Sequence, residues 1–189
     1  MTEIIIRQAT ERDTQIVARC VLSAMELLGI DDAVPYGMEI PLHNLDQAAL
    51  DATRLYSCYN SLIAEVGGKA VGCLISYSGN NYAALRKRTF DILYEESGLD
   101  LRDNPMETGP GEYYLDCMSI KSEYRGKGIG HLLMQKAIEK GKALGIHKFT
   151  LLVEKSHCRL QEYYSQLGFV PKFTLCAFGT QYIKMELLA

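Results

Sequence analysis

The chain has 189 residues, of which 48% are hydrophobic and 23% are charged, and its formal net charge is −3 at pH 7. A chain of this length buries a sizeable core as one domain, and its weak negative charge excludes a global basic field for nucleic acid or anionic membrane. No apolar run approaches a membrane span and the N-terminus lacks a signal-peptide pattern, so a cytoplasmic protein is expected.

The first sixty residues predict one strand and two helices. Ile4–Ile6 is a short β-branched run, and Thr10 is a candidate N-cap for a helix that ends at Gly29. Residues 31–42 contain two prolines and a glycine and predict a loop. Leu45–Tyr59 predicts the second helix.

A hairpin and a long insert come next. Ser61–Val66 and Ala70–Tyr77 predict strands joined by a tight turn, because Gly67-Gly68-Lys69 separates them. The insert, 78–111, contains a predicted helix over Tyr82–Glu96 and then an irregular return.

The function of the insert is open. Its Arg86-Lys87-Arg88 cluster is interpreted as a solvated helix face, because three charges are few for a binding patch. A long segment in a compact domain is often functional, so a substrate lid and a dimer contact are both hypotheses.

The segment 115–144 carries the strongest local pattern. Leu115–Ile120 predicts a buried strand, and from Ile129 to Leu144 apolar residues recur at helical spacing. Between them lies Arg125-Gly-Lys127-Gly-Ile-Gly130. A helix N-terminus behind a glycine turn, with two cations beside it, favours a phosphate or pyrophosphate.

The last third predicts a strand over Lys148–Val153 and a helix from a Ser156 cap to Leu167. Phe169–Phe178 and Gln181–Leu187 predict a closing antiparallel pair. The complete order is β-α-α-β-β-(insert)-β-α-β-α-β-β, which is a mixed α/β sheet.

The glycine spacing decides between families of phosphate-binding loops. It fits neither a P-loop nor a dinucleotide fingerprint, but it matches Arg-x-x-Gly-x-Gly, with Met118-Ser119-Ile120 before it and Tyr164-x-x-x-Gly168-Phe169 after it. With these three elements in order, the sequence resembles a GNAT-type N-acetyltransferase.

The resemblance implies a mostly antiparallel central sheet flanked by helices, in one N-acetyltransferase domain spanning 1–189. Its substrate-side helices would lie at about 10–60, the insert at about 78–111 and the acetyl-CoA core at about 112–171. Tyr36, Met38 and His43 then become candidates for contact with the acceptor, with ordinary loop packing as the equal alternative.

The resemblance also assigns the acetyl-CoA contacts. The backbone of Met118 and Ile120 would pair with the pantetheine arm, and the Met118 amide would stabilise the oxyanion. His157 stands where the family often has a pantetheine-binding asparagine. The expected cofactor-binding residues are Met118, Ser119, Ile120, Arg125, Gly126, Lys127, Gly128, Ile129, Gly130, His131 and His157.

Proton transfer needs a base and an acid, and each role has a first candidate and alternatives. Asp116 is a carboxylate in an apolar strand and shares a face with Met118, so it is the first candidate for the base, with Glu112 and Glu154 as alternatives. Some family members use a glutamate near the end of the next strand. This chain has Leu152 at that position, so that version of the mechanism is not expected. Tyr164 matches the family's general acid, and its neighbour Tyr163 is the rival.

The sequence therefore predicts an acetyl-CoA-dependent N-acetyltransferase that acts on a primary amine of a small molecule or a protein. The alternative is a non-catalytic CoA-binding sensor; a nucleotide-dependent oxidoreductase is disfavoured by the glycine spacing. No metal, nucleic acid or membrane partner is expected, and a homodimer stays open. The six scattered cysteines fit buried apolar positions better than a disulfide framework or a zinc site.

Overall fold

The computed structural model describes residues 3–189 and confirms the mixed α/β fold. Seven strands form one sheet in the order β1-β2-β3-β4-β5-β7-β6, and neighbouring strands are mostly antiparallel. The strands are β1 (Ile4–Gln8), β2 (Ser61–Val66), β3 (Lys69–Ser78), β4 (Glu112–Ile120), β5 (Lys148–Glu154), β6 (Val170–Ala177) and β7 (Thr180–Leu188). The helices are α1 (Thr14–Ala24), α2 (Glu39–Ala48), α3 (Tyr82–Ser97), α4 (Ile129–Ala143) and α5 (Cys158–Gln166).

The chain divides into two compact units. The first comprises Met1–Ser76 and Asp116–Lys140, and the second comprises Tyr77–Leu115 and Gly141–Ala189. Within residues 3–189, none of the helices has the length and apolar character required to cross a bilayer.

In the first unit, β1, β2 and β3 form an antiparallel meander, with Ile4 opposite Val66 and Ser61 opposite Ile75. The predicted hairpin is confirmed. Gly67 and Gly68 have φ values of 57° and 75°, and this left-handed pair produces the turn whose twist matches the flanking strands.

The first helix is shorter than predicted. Thr10 caps a single 3₁₀ turn, Glu11–Asp13, before α1 begins. The end predicted at Gly29 is wrong, because Glu26 adopts a left-handed conformation with φ of 57°. The amides of Leu27 and Leu28 then turn back to the Leu22 carbonyl and close the helix.

The second helix lies earlier than predicted. It covers Glu39–Ala48 instead of Leu45–Tyr59, so part of the predicted loop 31–42 is helical. The prediction failed because Pro41 was interpreted as a loop residue. It lies in the first helical turn, where the missing N–H costs nothing.

In the second unit, β4 pairs in parallel with β5, from Glu112 opposite Lys148 to Tyr114 opposite Thr150. Strand β7 lies antiparallel between β5 and β6, which confirms the closing pair. Helix α5 starts at Cys158 with His157 in the cap position, so the Ser156 cap is wrong. The Ser156 hydroxyl donates instead to the Glu154 carboxylate.

The insert packs through α3, which begins at Tyr82 as predicted and ends one residue later than predicted, at Ser97. Tyr82, Arg86, Thr89 and Phe90 are its buried residues. The Arg86 guanidinium donates to the carbonyl oxygens of Leu101, Arg102 and Asn104. The interpretation of the whole cluster as a solvated face was therefore wrong for Arg86, which is 8% exposed.

A buried carboxylate ties the return of the insert to this helix. Glu107 accepts hydrogen bonds from the hydroxyls of Tyr82, at 3.1 Å, and Tyr114, at 2.7 Å. Burial raises the pKa of Glu107, although both phenols oppose the rise. The insert is thus anchored at its helix, at its return and on β4.

Glu112, at the start of β4, joins three strands. Its carboxylate lies 2.6 Å from Nζ of Lys184 on β7 and 3.1 Å from Nζ of Lys148 on β5. Hydroxyls of Thr108 and Thr150 donate to the same group. Burial acts to raise the pKa of Glu112, but the two lysines and Thr108 outweigh it and lower the pKa.

We expect Glu112→Gln to lower the free energy of unfolding by about 3 kcal/mol at pH 7, because it leaves the buried Lys184 ammonium without its counter-charge. Because the folded pKa lies below the ordinary value of 4.5, this stabilisation is complete above about pH 4.5 and is lost as the pH falls through the folded pKa. Urea unfolding at several pH values measures the difference, which should shrink in acid.

Glu186→Gln is the matched control. Glu186 also contacts two lysines, Lys148 and Lys172, but these are 42% and 41% exposed against 11% for Lys184. Its loss should cost about 1 kcal/mol or less. An equal decrease in the free energy of unfolding in both variants would contradict the conclusion that the buried Glu112–Lys184 pair stabilises the fold more than an exposed pair does.

Candidate functional site

The glycine loop has the geometry of an open backbone cradle. Gly126 and Gly128 have φ values of 72° and 80°, a region that other residues enter only under strain. A Cβ placed on either glycine would meet nothing within 4 Å. Helix α4 begins directly behind the loop, and its first amides have no acceptor within the helix.

The two cations of the loop form no ion pair with the described residues. The Arg125 Nε donates to the carbonyl oxygen of Ile120 at 2.8 Å, which folds the loop back on the end of β4. The Lys127 Nζ lies 5.1 Å from the ring centroid of Tyr124. Both charges therefore stand beside an open helix N-terminus, an arrangement that attracts an anion.

The alternation along β4 separates its side chains into two sets. Asp116, Met118 and Ile120 are half-buried, whereas Cys117 and Ser119 are buried. Asp116 and Met118 thus share a face, as the strand period requires. The Ser119 hydroxyl lies 2.9 Å from that of Ser23 on α1, so Ser119 could serve a ligand only through its backbone.

The three candidate carboxylates differ in their surroundings. Glu112 is held by two lysines, and its lowered pKa makes it a weaker base. The Glu154 carboxylate accepts the hydrogen bond from Ser156. The Cys117 thiol donates to the Asp116 Oδ1 at 3.4 Å, and Asp116 is the candidate that shares a strand face with Met118.

Tyr164 and Tyr163 lie side by side on α5, with ring centroids 5.4 Å apart. Tyr164 also packs edge-on against Phe169, at 6.2 Å, so the Tyr-x-x-x-Gly-Phe element forms one local cluster. The Tyr163 hydroxyl is buried and has no hydrogen-bond partner among the described residues. Burial raises the pKa of Tyr163 above the ordinary tyrosine value, which makes it a weaker acid than an ordinary tyrosine.

His157 caps α5, and its amide donates to the Glu154 carbonyl at 3.0 Å. Its half-buried ring stands at the helix start, where an imidazole N–H could donate to a pantetheine carbonyl. The neighbouring Cys158 is exposed, while Cys20, Cys58, Cys73 and Cys117 are buried; all six cysteines are free thiols.

The predicted site residues fall into two local groups. In the first unit, Asp116, Met118–Ile120 and Arg125–His131 follow one another through β4, the loop and the start of α4. In the second unit, His157 and Tyr164 lie on one helix, seven residues apart.

The acceptor-side candidates differ from one another in exposure. Met38 packs against a core cluster that includes Leu22, Leu28 and Leu42. Tyr36 is fully exposed, at 101% of its reference area, and His43 is also exposed. Met38 thus has a packing role, whereas Tyr36 has no such role.

Sequence reasoning missed Asp31. Its Oδ2 accepts hydrogen bonds from the amide and hydroxyl of Ser122, at 2.8 and 2.6 Å. The two donors hold the pKa of Asp31 below its ordinary value. The partners are 91 residues apart, and no local pattern relates them.

Comparison with known proteins gives the family. The model of the acetyltransferase (GNAT) family matches residues 31–169. Among curated proteins, no significant match was found.

Solved structures give the same fold over almost the whole chain. A structure described as an acetyltransferase shares 28% identity, with a TM-score of 0.77 and coverage of 97% of this chain and 98% of its own. An N-acetyltransferase from Staphylococcus aureus Mu50 has 24% identity, a TM-score of 0.77 and coverage of 97% and 100%. The protein yncA from Salmonella typhimurium, solved with its cofactor acetyl-CoA, has 15% identity, a TM-score of 0.61 and coverage of 98% and 93%.

Because the family model covers well over half of the 189 residues and includes β4, the glycine loop and α5, this chain belongs to the GNAT family of acetyltransferases.

Proposed function

We propose that this chain, acting as one domain over 1–189, is an acetyl-CoA-dependent N-acetyltransferase whose acceptor is a primary amine of a small molecule or a protein. The observation that carries the proposal is the open glycine loop at the start of α4, where Arg125 and Lys127 form no ion pair with a carboxylate of the described residues. The amides of Gly126–His131 would hold the pyrophosphate of acetyl-CoA.

Strand β4 would hold the rest of the cofactor. Its pairing with β5 runs from Glu112 to Tyr114, so the backbone of Met118 and Ile120 would be available to hydrogen-bond the pantetheine arm as an added strand. The His157 imidazole would donate to the same arm. The Met118 amide would then point at the thioester oxygen and stabilise the negative charge that develops there.

The chemistry needs one base and one acid. An alkylammonium with a pKa of about 10.4 is protonated at neutral pH, so Asp116, directly or through water, would remove its proton. The amine nitrogen then attacks the acetyl carbonyl carbon, and the carbon–sulfur bond breaks as the Tyr164 hydroxyl would protonate the departing thiolate. The remaining extra proton on the new amide nitrogen would pass through water to the Tyr164 phenolate and restore the hydroxyl.

We expect Gly128→Trp to abolish saturable acetyl-CoA binding in calorimetric titration, because the indole would occupy the space in front of the loop amides. Gly98→Trp is the control: Gly98 also has a positive φ, of 74°, and open space around a Cβ, but it ends α3. Both variants carry the same backbone strain, about 1–3 kcal/mol. Unchanged affinity in Gly128→Trp would refute the cofactor assignment.

We expect Tyr164→Phe to lower kcat about 100-fold with an unchanged Kd for acetyl-CoA, because the thiolate loses its proton donor. Thiol release from acetyl-CoA, with an amine found by screening polyamines, aminoglycosides and peptide N-termini, measures kcat. Tyr163→Phe should leave kcat unchanged and keep or raise Tm, since it deletes an unpartnered buried hydroxyl. A lower kcat in Tyr163→Phe, with kcat unchanged in Tyr164→Phe, would assign the general acid to Tyr163 instead.

We expect Asp116→Asn to lower kcat/KM about 100-fold at pH 7 and by less as the pH approaches the pKa of the amine, where the neutral amine forms without a base. A pH profile of kcat/KM for the wild type and the variant measures how the difference between them shrinks as the pH rises. Glu154→Gln, which removes the competing carboxylate, should leave the profile unchanged. A larger effect in Glu154→Gln would move the base to Glu154. A chain that binds acetyl-CoA but releases no thiol with any amine would instead be a CoA sensor.

A further inference from the structure

One side chain connects the loop after α1 with the turn that leads into the glycine loop. The Asp31 Oδ2 accepts from the Ser122 amide at 2.8 Å and from the Ser122 hydroxyl at 2.6 Å. Ser122 opens the 3₁₀ turn Ser122–Tyr124, which follows β4 and ends immediately before Arg125. The carboxylate therefore caps this turn from a distant part of the sequence.

Apart from Asp31, few contacts hold the Ser122–Tyr124 turn. Its own bonds run from the Tyr124 amide to the Lys121 carbonyl and from the Arg125 amide to the Ser122 carbonyl. Asp31 and Lys121 line a polar cleft of about 540 Å³ whose walls are mainly charged side chains. No apolar side chain of the turn is buried, so packing contributes little to its position.

The segment that carries Asp31 is itself held in place. The Arg19 guanidinium donates at 2.9 Å to the backbone carbonyl of Asp32, a contact that does not involve the Asp32 side chain. The next residue toward α1, Ile30, is 2% exposed. Asp31 therefore projects from a fixed backbone, so its carboxylate can hold the Ser122–Tyr124 turn in place.

We infer that Asp31 is a positioning residue for the cofactor loop: its two hydrogen bonds to Ser122 hold the turn that sets the glycine-loop amides in their binding geometry. The inference rests on the proposed function. It also joins the acceptor-side loop, which carries Tyr36, to the cofactor loop through one carboxylate.

Charge and geometry predict opposite effects for this residue. Asp31 lies close enough to Arg125 for that cation to favour its ionised form, and an acid beside an anion site weakens anion binding by repulsion. If charge alone mattered, removing Asp31 would strengthen acetyl-CoA binding. If the Ser122 bonds order the loop, removing it would weaken binding, because the ordering cost would then fall on the binding step.

The test compares Asp31→Ala with Asp32→Ala by calorimetric titration with acetyl-CoA. Both variants lose one negative charge from adjacent positions, but among residues 3–189 the Asp32 carboxylate accepts a hydrogen bond only from the Gly29 amide of its own loop, at 3.0 Å. We expect Asp31→Ala to weaken binding about fivefold, and Asp32→Ala to leave it unchanged or slightly stronger. Asp31→Asn keeps an oxygen acceptor for Ser122 and should recover most of the affinity. Asp31→Ala/Ser122→Ala should bind no more weakly than Asp31→Ala, since both changes remove the same interaction.

Hydrogen exchange of the ligand-free proteins supplies a second readout. Asp31→Ala should speed exchange at the amides of Ser122–Tyr124, and Asp32→Ala should not. Equal affinities in the Asp31→Ala and Asp32→Ala variants, or unchanged exchange in the turn, would overturn the inference while leaving the acetyltransferase proposal intact. A wild-type protein that fails to bind acetyl-CoA would refute the proposed function itself, whatever the exchange at the turn.

Discussion

The second unit depends on the buried contact between Glu112 and Lys184. Both side chains are almost enclosed, at 12% and 11% exposure, and an ammonium at that depth is costly without a counter-charge. The Lys184 Nζ also donates to the Glu107 carbonyl, so the same cation binds the return of the insert. One ion pair thus sets the start of β4 against β5 and β7 and keeps the insert on the sheet.

This constraint matters for the site because β4 runs from that ion pair to the glycine loop. Its first residue is Glu112 itself, its central residue is Asp116, and its last residues, from Met118, supply the backbone proposed to bind pantetheine. At the far end, Arg125 and Asp31 fold and cap the turn. The strand is therefore held at both ends by charged side chains, and rigid elements position reacting groups better than loops do.

Local sequence patterns were sufficient for much of the fold. The hairpin followed from two adjacent glycines, and α4 followed from apolar spacing behind a glycine turn. The errors occurred at residues whose role depends on context: Glu26 takes a left-handed conformation and ends α1 early, and Pro41 occupies the first turn of α2 instead of a loop. Neither is visible in hydrophobic periodicity, because both depend on where the surrounding chain is anchored.

The candidate site was predictable only where its residues are neighbours in sequence. Gly126–His131 and Tyr164 come from motifs that resemble those of the GNAT family, and their assigned roles stay predictions. The contact between Asp31 and Ser122 spans 91 residues, so only a folded structure shows it. The buried state of Arg86 was missed for the same reason, since its acceptors lie on a stretch without regular structure.

The buried Arg86 has a consequence for which sequence changes are tolerated in proteins related to this one. Its guanidinium serves three backbone carbonyls between Leu101 and Asn104, and backbone atoms are present whatever the side chains are. The side chains of this segment can therefore change while its backbone path is kept. A deletion in the segment would instead leave the buried Arg86 guanidinium without its acceptors. Substitutions should accumulate in this stretch, and deletions should persist only when position 86 also loses its arginine.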